Sequence, residues 1–132
     1  MSLTKGIKHA HTTAICTDGN AYAWGDHYKG QLGTLSSDWT HASPVLQPLP
    51  AKVILPDDVQ VAKTVGGGIH NSLISTDGRL FTWGCGSDGR LGHPEYEGFV
   101  YLYKESHPKR VEALQGRVID VASSYHSMIC IS

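Results

Sequence analysis

Polar and apolar positions in this 132-residue chain alternate in short runs, and no stretch keeps the 3.6-residue apolar period of a helix. A period of two belongs to strands with one buried face. The runs HTTAICT (11–17) and AYAW (21–24) flank Asp18-Gly19, and HNSLIST (70–76) and RLFTW (79–83) flank Asp77-Gly78. Asp-Gly between alternating runs is a strong hairpin signal, read here as a two-residue loop with positive φ at both central residues. The first hairpin is expected over about 11–25, and the second starts at His70.

Both hairpins lie in one repeated stretch. Residues 11–33 and 70–92 align without a gap and share ten of 23 positions. The shared residues are His11/His70, Ile15/Ile74, Thr17-Asp18-Gly19/Thr76-Asp77-Gly78, Trp24-Gly25/Trp83-Gly84, Gly30/Gly89 and Leu32-Gly33/Leu91-Gly92. A third copy opens at His126. The offsets, 70 − 11 = 59 and 126 − 70 = 56, mark a repeat architecture. One repeat domain is expected over 1–132, with copies at about 1–58 and 59–116 and an incomplete copy at 117–132.

The remaining segments fall into the same order twice. Residues 59–65 alternate as a strand, and 117–122 repeat them. Pro44 to Leu49 reads as an edge strand, where proline is tolerated, and Pro108 to Leu114 matches it. Residues 26–43 and 93–107 are expected loops, and 50–58 a connector. Residues 3–8 stand where a strand before His11 would sit. Trp24 and Trp83 each end a hairpin and are expected to be equivalent core residues.

The pattern His-x5-Thr-Asp-Gly-x4-Trp-Gly-x4-Gly-x-Leu-Gly, followed by a proline segment, resembles the repeat of the regulator of chromosome condensation family. That resemblance implies a β-propeller, usually of seven blades, each a four-stranded antiparallel sheet. The expected fold is therefore all-β, a partial propeller of a little over two blades. Propellers close with about 4–8 blades. The chain is thus expected to be a section of a longer ring, or to complete one with further copies of itself. Open end blades present apolar faces and strand edges, so the isolated polypeptide is expected to self-associate.

Composition narrows the partners. Eleven basic residues face twelve acidic ones with no basic cluster, which argues against direct nucleic-acid binding. No run is long enough to cross a bilayer or reads as a signal peptide. Cys16, Cys85 and Cys130 lack CxxC spacing, which points to reduced thiols and an intracellular protein, cytoplasmic or nuclear.

Two chemical motifs are tested and set aside. Gly84-Cys85-Gly86-Ser87-Asp88-Gly89 satisfies G-x-G-x-x-G after a strand, but Arg90-Leu91-Gly92-His93-Pro94 cannot open the helix a dinucleotide needs. His9-x-His11 is the closest pair among eight histidines, without the further ligands a zinc site requires. The recurrence of His11, His70 and His126 at one repeat position suggests a structural hydrogen bond in each blade. No cofactor, metal or catalytic nucleophile is expected.

Residues that break the repeat are the functional candidates. The first copy inserts 34–43 (TLSSDWTHAS) and the second 93–107 (HPEYEGFVYLYKESH) after the Leu-Gly. Insertions at one repeat position emerge on one face, often the binding face. Trp39, Tyr96, Phe99, Tyr101 and Tyr103 supply the large aromatics that anchor interfaces. The expected function is a non-catalytic scaffold that binds another protein through this face. The resemblance implies an alternative, guanine-nucleotide exchange on a Ran-like small GTPase in a chromatin setting, the activity of the family's founding member. It also extends to tubulin-suppressor-like proteins, HECT-type ubiquitin ligases and a plant ultraviolet photoreceptor. The photoreceptor places chromophore tryptophans in Gly-Trp-Arg-His segments. Here the matching places read Gly68-Ile69-His70 and Ser124-Tyr125-His126, which argues against photoreception.

Overall fold

The computed structural model describes residues 2–3, 10–26, 32–34, 46–86, 90–93, 104–125 and 127–132. The first sheet contains β1 (Ser2–Leu3), β2 (His11–Ile15), β3 (Ala21–Asp26) and β4 (Leu46–Lys52), in that order. The second contains β5 (Val61–Gly66), β6 (His70–Ser75), β7 (Leu80–Cys85) and β8 (Lys104–Arg110). β9 (Asp120–Ser123) and β10 (Met128–Ile131) form a third, two-stranded sheet. Every pairing is antiparallel between strands consecutive in sequence. No helix occurs among the described residues.

The hairpins form where the Asp-Gly signals place them, with one residue more in each loop. Cys16 N donates to Asn20 O at 3.0 Å and Gly19 N to Cys16 O at 3.0 Å; Ser75 N donates to Arg79 O and Gly78 N to Ser75 O, both at 2.9 Å. These bonds enclose three residues, a turn closed by a left-handed glycine. Such a loop asks positive φ of its glycine, met by Gly19 at 82° and Gly78 at 87°. Gly78→Val should cost about 1–2 kcal/mol in a urea melt, since a β-branched residue is strained at that φ. A Cβ at Gly78 would also meet the root of Arg117, its Cγ, Cβ and backbone Cα, which adds crowding to the strain. An unchanged midpoint would reject the turn assignment.

Strand boundaries shift from the sequence reading. The edge strand expected at 44–49 runs over Leu46–Lys52, and the one expected at 108–114 over Lys104–Arg110. The loop read as 93–107 therefore gives its last four residues to β8. Lys104, Glu105, Ser106 and His107 show no apolar alternation, yet an edge strand needs only backbone pairing to its neighbour. Residues 59–65 and 117–122 likewise begin their strands later, at Val61 and Asp120.

The sheets stack face to face through two apolar seams. Ala21, Ala23, Leu32 and Val53 of the first sheet's side meet Val59, Val61, Leu73, Phe81 and Trp83. Ile74, Leu80 and Val111 meet Val118 and Val121, with Met128 and Cys130 half-buried alongside. All of β6 and β7 is buried because the second sheet has a neighbour on each face. Trp83 is fully buried, whereas Trp24 is only half-buried. The expected equivalence of the two tryptophans thus fails in burial: Ala21 and Ala23 face the second sheet, and Trp24 alternates to the opposite face. Backbone links the stack as well. Val61 N donates to Gly19 O at 3.0 Å, and Val118 N to Gly78 O at 2.9 Å, from the entry of one sheet to the hairpin turn of the sheet before.

The third sheet presents its residues the other way round. Gln60 and Arg117 are equivalent, each lying against the preceding hairpin glycine. Yet Gln60 stands 70 − 60 = 10 residues before its repeat histidine, and Arg117 only 126 − 117 = 9 before His126. β5 also carries a register shift between Val61 and Lys63. A one-residue slip exchanges the two faces of a strand. Hence Leu73 packs toward the first sheet, but its repeat counterpart Ile129 is 73% exposed, and Met128 and Cys130 turn inward.

Candidate interaction surfaces

Polar groups inside the seams are matched between sheets. His11 Nε2 donates to Asn71 Oδ1 at 2.7 Å, both residues buried. Thr64 Oγ1 lies 3.3 Å from Thr13 Oγ1 and 3.2 Å from the Ser72 carbonyl. The hydrogen bond expected within each blade is therefore, at His11, one between neighbouring sheets. His70 is fully buried at the matching place, and His126 lies outside the described residues. Lys63 pairs with Asp120 across the second seam and holds its carboxyl below the usual carboxylate range. At the hairpin turn, hydrogen bonds from Arg79 and then Ser75 bring Asp77 down to about 2.

A buried polar knot ties the second Leu-Gly to its sheet. Thr82 Oγ1 donates to Leu91 O at 2.7 Å and lies 2.8 Å from His93 Nε2. Burial, then the charge of Lys109, pushes the His93 pKa below the usual histidine range. The unfolded chain therefore takes up a proton first as pH falls, and the stabilisation present above about pH 6.5 is lost through the lowered folded value. Denaturant melts between pH 7 and 5 should show falling stability, with a shallower fall in His93→Gln. Identical slopes in the two proteins would reject this account.

All five candidate aromatics, Trp39, Tyr96, Phe99, Tyr101 and Tyr103, lie outside the described residues. The roots of their insertions are described. The first leaves after Thr34, whose Oγ1 donates to Gln47 Oε1 at 2.9 Å, and returns where Asp26 pairs with Leu46. The second leaves after His93 and returns where Cys85 pairs with Lys104. Both insertions thus spring from the same end of their sheets, where β3 and β7 finish. Gly84 and Cys85 of the G-x-G-x-x-G close β7, and residues 87–89 lie outside the described set. His9 also lies outside it, and no group of three metal-ligating side chains occurs among the described residues. Cys16, Cys85 and Cys130 form no disulfide with one another. No described helix is long and apolar enough to cross a membrane. Sequence reasoning missed Asn71 and Thr82, whose partners stand 60 and 11 residues away.

Two four-stranded antiparallel sheets and a two-stranded third, stacked in sequence order through apolar seams, define a section of a β-propeller. The chain belongs to the regulator of chromosome condensation (RCC1) repeat family, whose sequence profile matches residues 18–74 and 77–131. Each matched unit starts at or beside a hairpin turn and spans the last two strands of one sheet and the first two of the next. The chain is 35% identical over 113 residues to the E3 ubiquitin-protein ligase HERC2 of Mus musculus, covering 85% of this chain and 2% of that protein. It is 33% identical over 116 residues to the ultraviolet-B receptor UVR8 of Arabidopsis thaliana, covering 88% of this chain and 23% of the receptor. The chain thus spans a minor part of both relatives. Yeast RCC1 (Prp20), in a crystal structure bound to Kap60, superposes with a TM-score of 0.76 at 23% identity, over 92% of this chain and 28% of that one. That likeness carries the fold.

Proposed function

We propose that the chain is a non-catalytic propeller section that binds another protein through the loop face formed by residues 34–43 and 93–107. The observation that supports this reading is the common origin of the two insertions at one end of adjacent sheets. Trp39, Tyr96, Phe99, Tyr101 and Tyr103 are the proposed anchors, since a few large aromatics carry most of the energy of a protein interface. The repeat family also contains proteins such as the HERC2 ligase, of which this region is a small share. The setting we infer is intracellular, cytoplasmic or nuclear.

Against a partner captured on the immobilised chain, Trp39→Ala and Tyr101→Ala should each weaken binding at least tenfold, about 1.4 kcal/mol. Thermal melts should stay unchanged. Full affinity in a variant lacking all five aromatics would reject the loop face. A second reading, exchange on a Ran-like GTPase, draws support from the fold shared with yeast RCC1 (Prp20), which was also solved on its own and described with its binding properties to Gsp1p and histones. Accelerated nucleotide release from a Ran-type GTPase would establish it, and an unchanged rate would remove it.

A further inference from the structure

We propose that Asp18-Gly19 is a site of spontaneous covalent modification, at which the aspartate rearranges to isoaspartate through a cyclic imide. The same dipeptide at Asp77-Gly78 is held against that reaction. Both follow threonine, in Thr17-Asp18-Gly19 and Thr76-Asp77-Gly78, so the local sequence does not separate them. Both aspartates are exposed, so access to water does not separate them either. The backbones agree as well: Gly19 N donates to Cys16 O at 3.0 Å, and Gly78 N to Ser75 O at 2.9 Å. These turns stand at the end of the sheets opposite the loop face.

The reaction needs no reagent beyond water. The Gly19 nitrogen attacks Cγ of the protonated Asp18 carboxyl and forms an N–Cγ bond. The amide proton and the carboxyl hydroxyl leave together as water, which closes the imide ring. Glycine favours this attack because no side chain crowds its amide. Water then opens the ring. Addition at the former side-chain carbonyl restores aspartate. Addition at the main-chain carbonyl breaks its bond to the Gly19 nitrogen, so the chain now runs through Cβ and Cγ, and the old main-chain carbonyl becomes a free carboxylate. The water lost in the first step is regained in the second, and mass and charge are unchanged.

Two observations set the turns apart. The first is the hold on the carboxyl. Asp77 accepts from the Ser75 hydroxyl, and Arg79 Nε lies 3.0 Å from its Oδ1 and 2.9 Å from its Oδ2. Arg79 is itself fixed by Asp58 at 3.1 Å and by the Phe81 ring beneath it. Cys16 and Asn20 stand in the repeat places of Ser75 and Arg79, so the first turn has neither clamp. Asp18 is held by Asn20, through its backbone amide at 3.0 Å and its side chain, with a weaker pull from Lys52. A carboxylate paired to a guanidinium resists both rotation toward the next amide and the protonation that its leaving oxygen requires. The second is the cover on the glycine. Gly78 is buried, and a Cβ there would meet Arg117 as far down as its backbone Cα, at 3.2 Å. Arg117 Nη2 also donates to Thr76 O at 3.3 Å. Gly19 is half-buried, and the nearest atoms over it are the terminal amide of Gln60, which can swing aside as the turn flexes.

Isoaspartate lengthens the main chain of the turn by one carbon. Gly19 O, which accepts from Val61 N at 3.0 Å, is thereby moved off the entry of the second sheet, and the first seam loosens. The chain is aged in mildly acidic buffer, and isoaspartate is located at each turn by electron-transfer fragmentation mass spectrometry. Isoaspartate should accumulate about tenfold faster at Asp18 than at Asp77. In a chain held unfolded in urea the two rates should agree within about twofold, because the fold no longer distinguishes them. Arg79→Ala should speed the reaction at Asp77 about fivefold, with Asp18 as the internal reference. The double variant Cys16→Ser, Asn20→Arg transplants the clamp and should slow Asp18 about fivefold, which tests the same account without weakening the second turn. The modified fraction, isolated by chromatography, should melt at lower urea than the parent. Equal rates in the folded chain, or a tenfold difference that persists in urea, would overturn the proposal, as would a transplanted clamp that leaves Asp18 unprotected.

Discussion

Trp83→Ala should lower the free energy of unfolding by about 3–5 kcal/mol, the range for truncating a large buried aromatic. Trp24→Ala should cost about 1–2 kcal/mol, an ordinary value for a half-buried site. The two residues occupy one repeat position, so their difference measures the seam and not the side chain. Trp83 lies between two sheets, in contact with the Gly33 segment, and its loss leaves a cavity that the backbone on both sides cannot close. Trp24 sits on the face of the first sheet that turns away from the second. Urea midpoints for the two variants, with m-values compared, read the effect directly. Equal losses would mean that Trp24 is also enclosed, and would refute the stacking order.

Gly84→Ala should destabilise by about 2–4 kcal/mol although it adds a single methyl group. Gly84 has φ of +103°, which an L side chain rarely adopts. The added Cβ would come within 2.7 Å of Ile69 O and 2.8 Å of His70 Cα. Both obstacles are backbone, so no side chain can rotate out of the way, and strain adds to overpacking. Gly25→Ala should behave alike, because its Cβ would meet Ala10 O at 2.7 Å and His11 Cα at 2.8 Å. Wild-type melts for both variants would show that the strand after the tryptophan has room to relax.

The repeated stretch made the hairpins, the sheet order and the fold legible, because turn chemistry and a period of two are local signals. The edge strands were less so. Lys104–Arg110 carries no apolar stripe, and its place follows from pairing with β7, which sequence does not display. The inversion of the third sheet was hidden in a difference of one residue between Arg117 and His126, visible only against the register of β5 and β6. Asn71 could not be singled out, since its partner His11 stands 60 residues away. The repeated pair Leu32-Gly33 and Leu91-Gly92 was legible, and the close packing of Trp83 against Gly33 shows what the first of them is for.

The bonds from Val61 N to Gly19 O and from Val118 N to Gly78 O tie the entry of each later sheet to the turn of the sheet before it. In each, the donor is the entry of a later sheet and the acceptor is the turn of an earlier one. An opening of the Gly78 turn releases the Val118 amide to solvent, while the first sheet's turn keeps its own bonds. Solvent exchange at these two amides therefore reports on the preceding sheet, in the manner of nearest-neighbour coupling in linear arrays. A damaged turn is therefore felt at the entry of the next sheet and, because coupling is reciprocal, fraying of that entry loosens the turn in return.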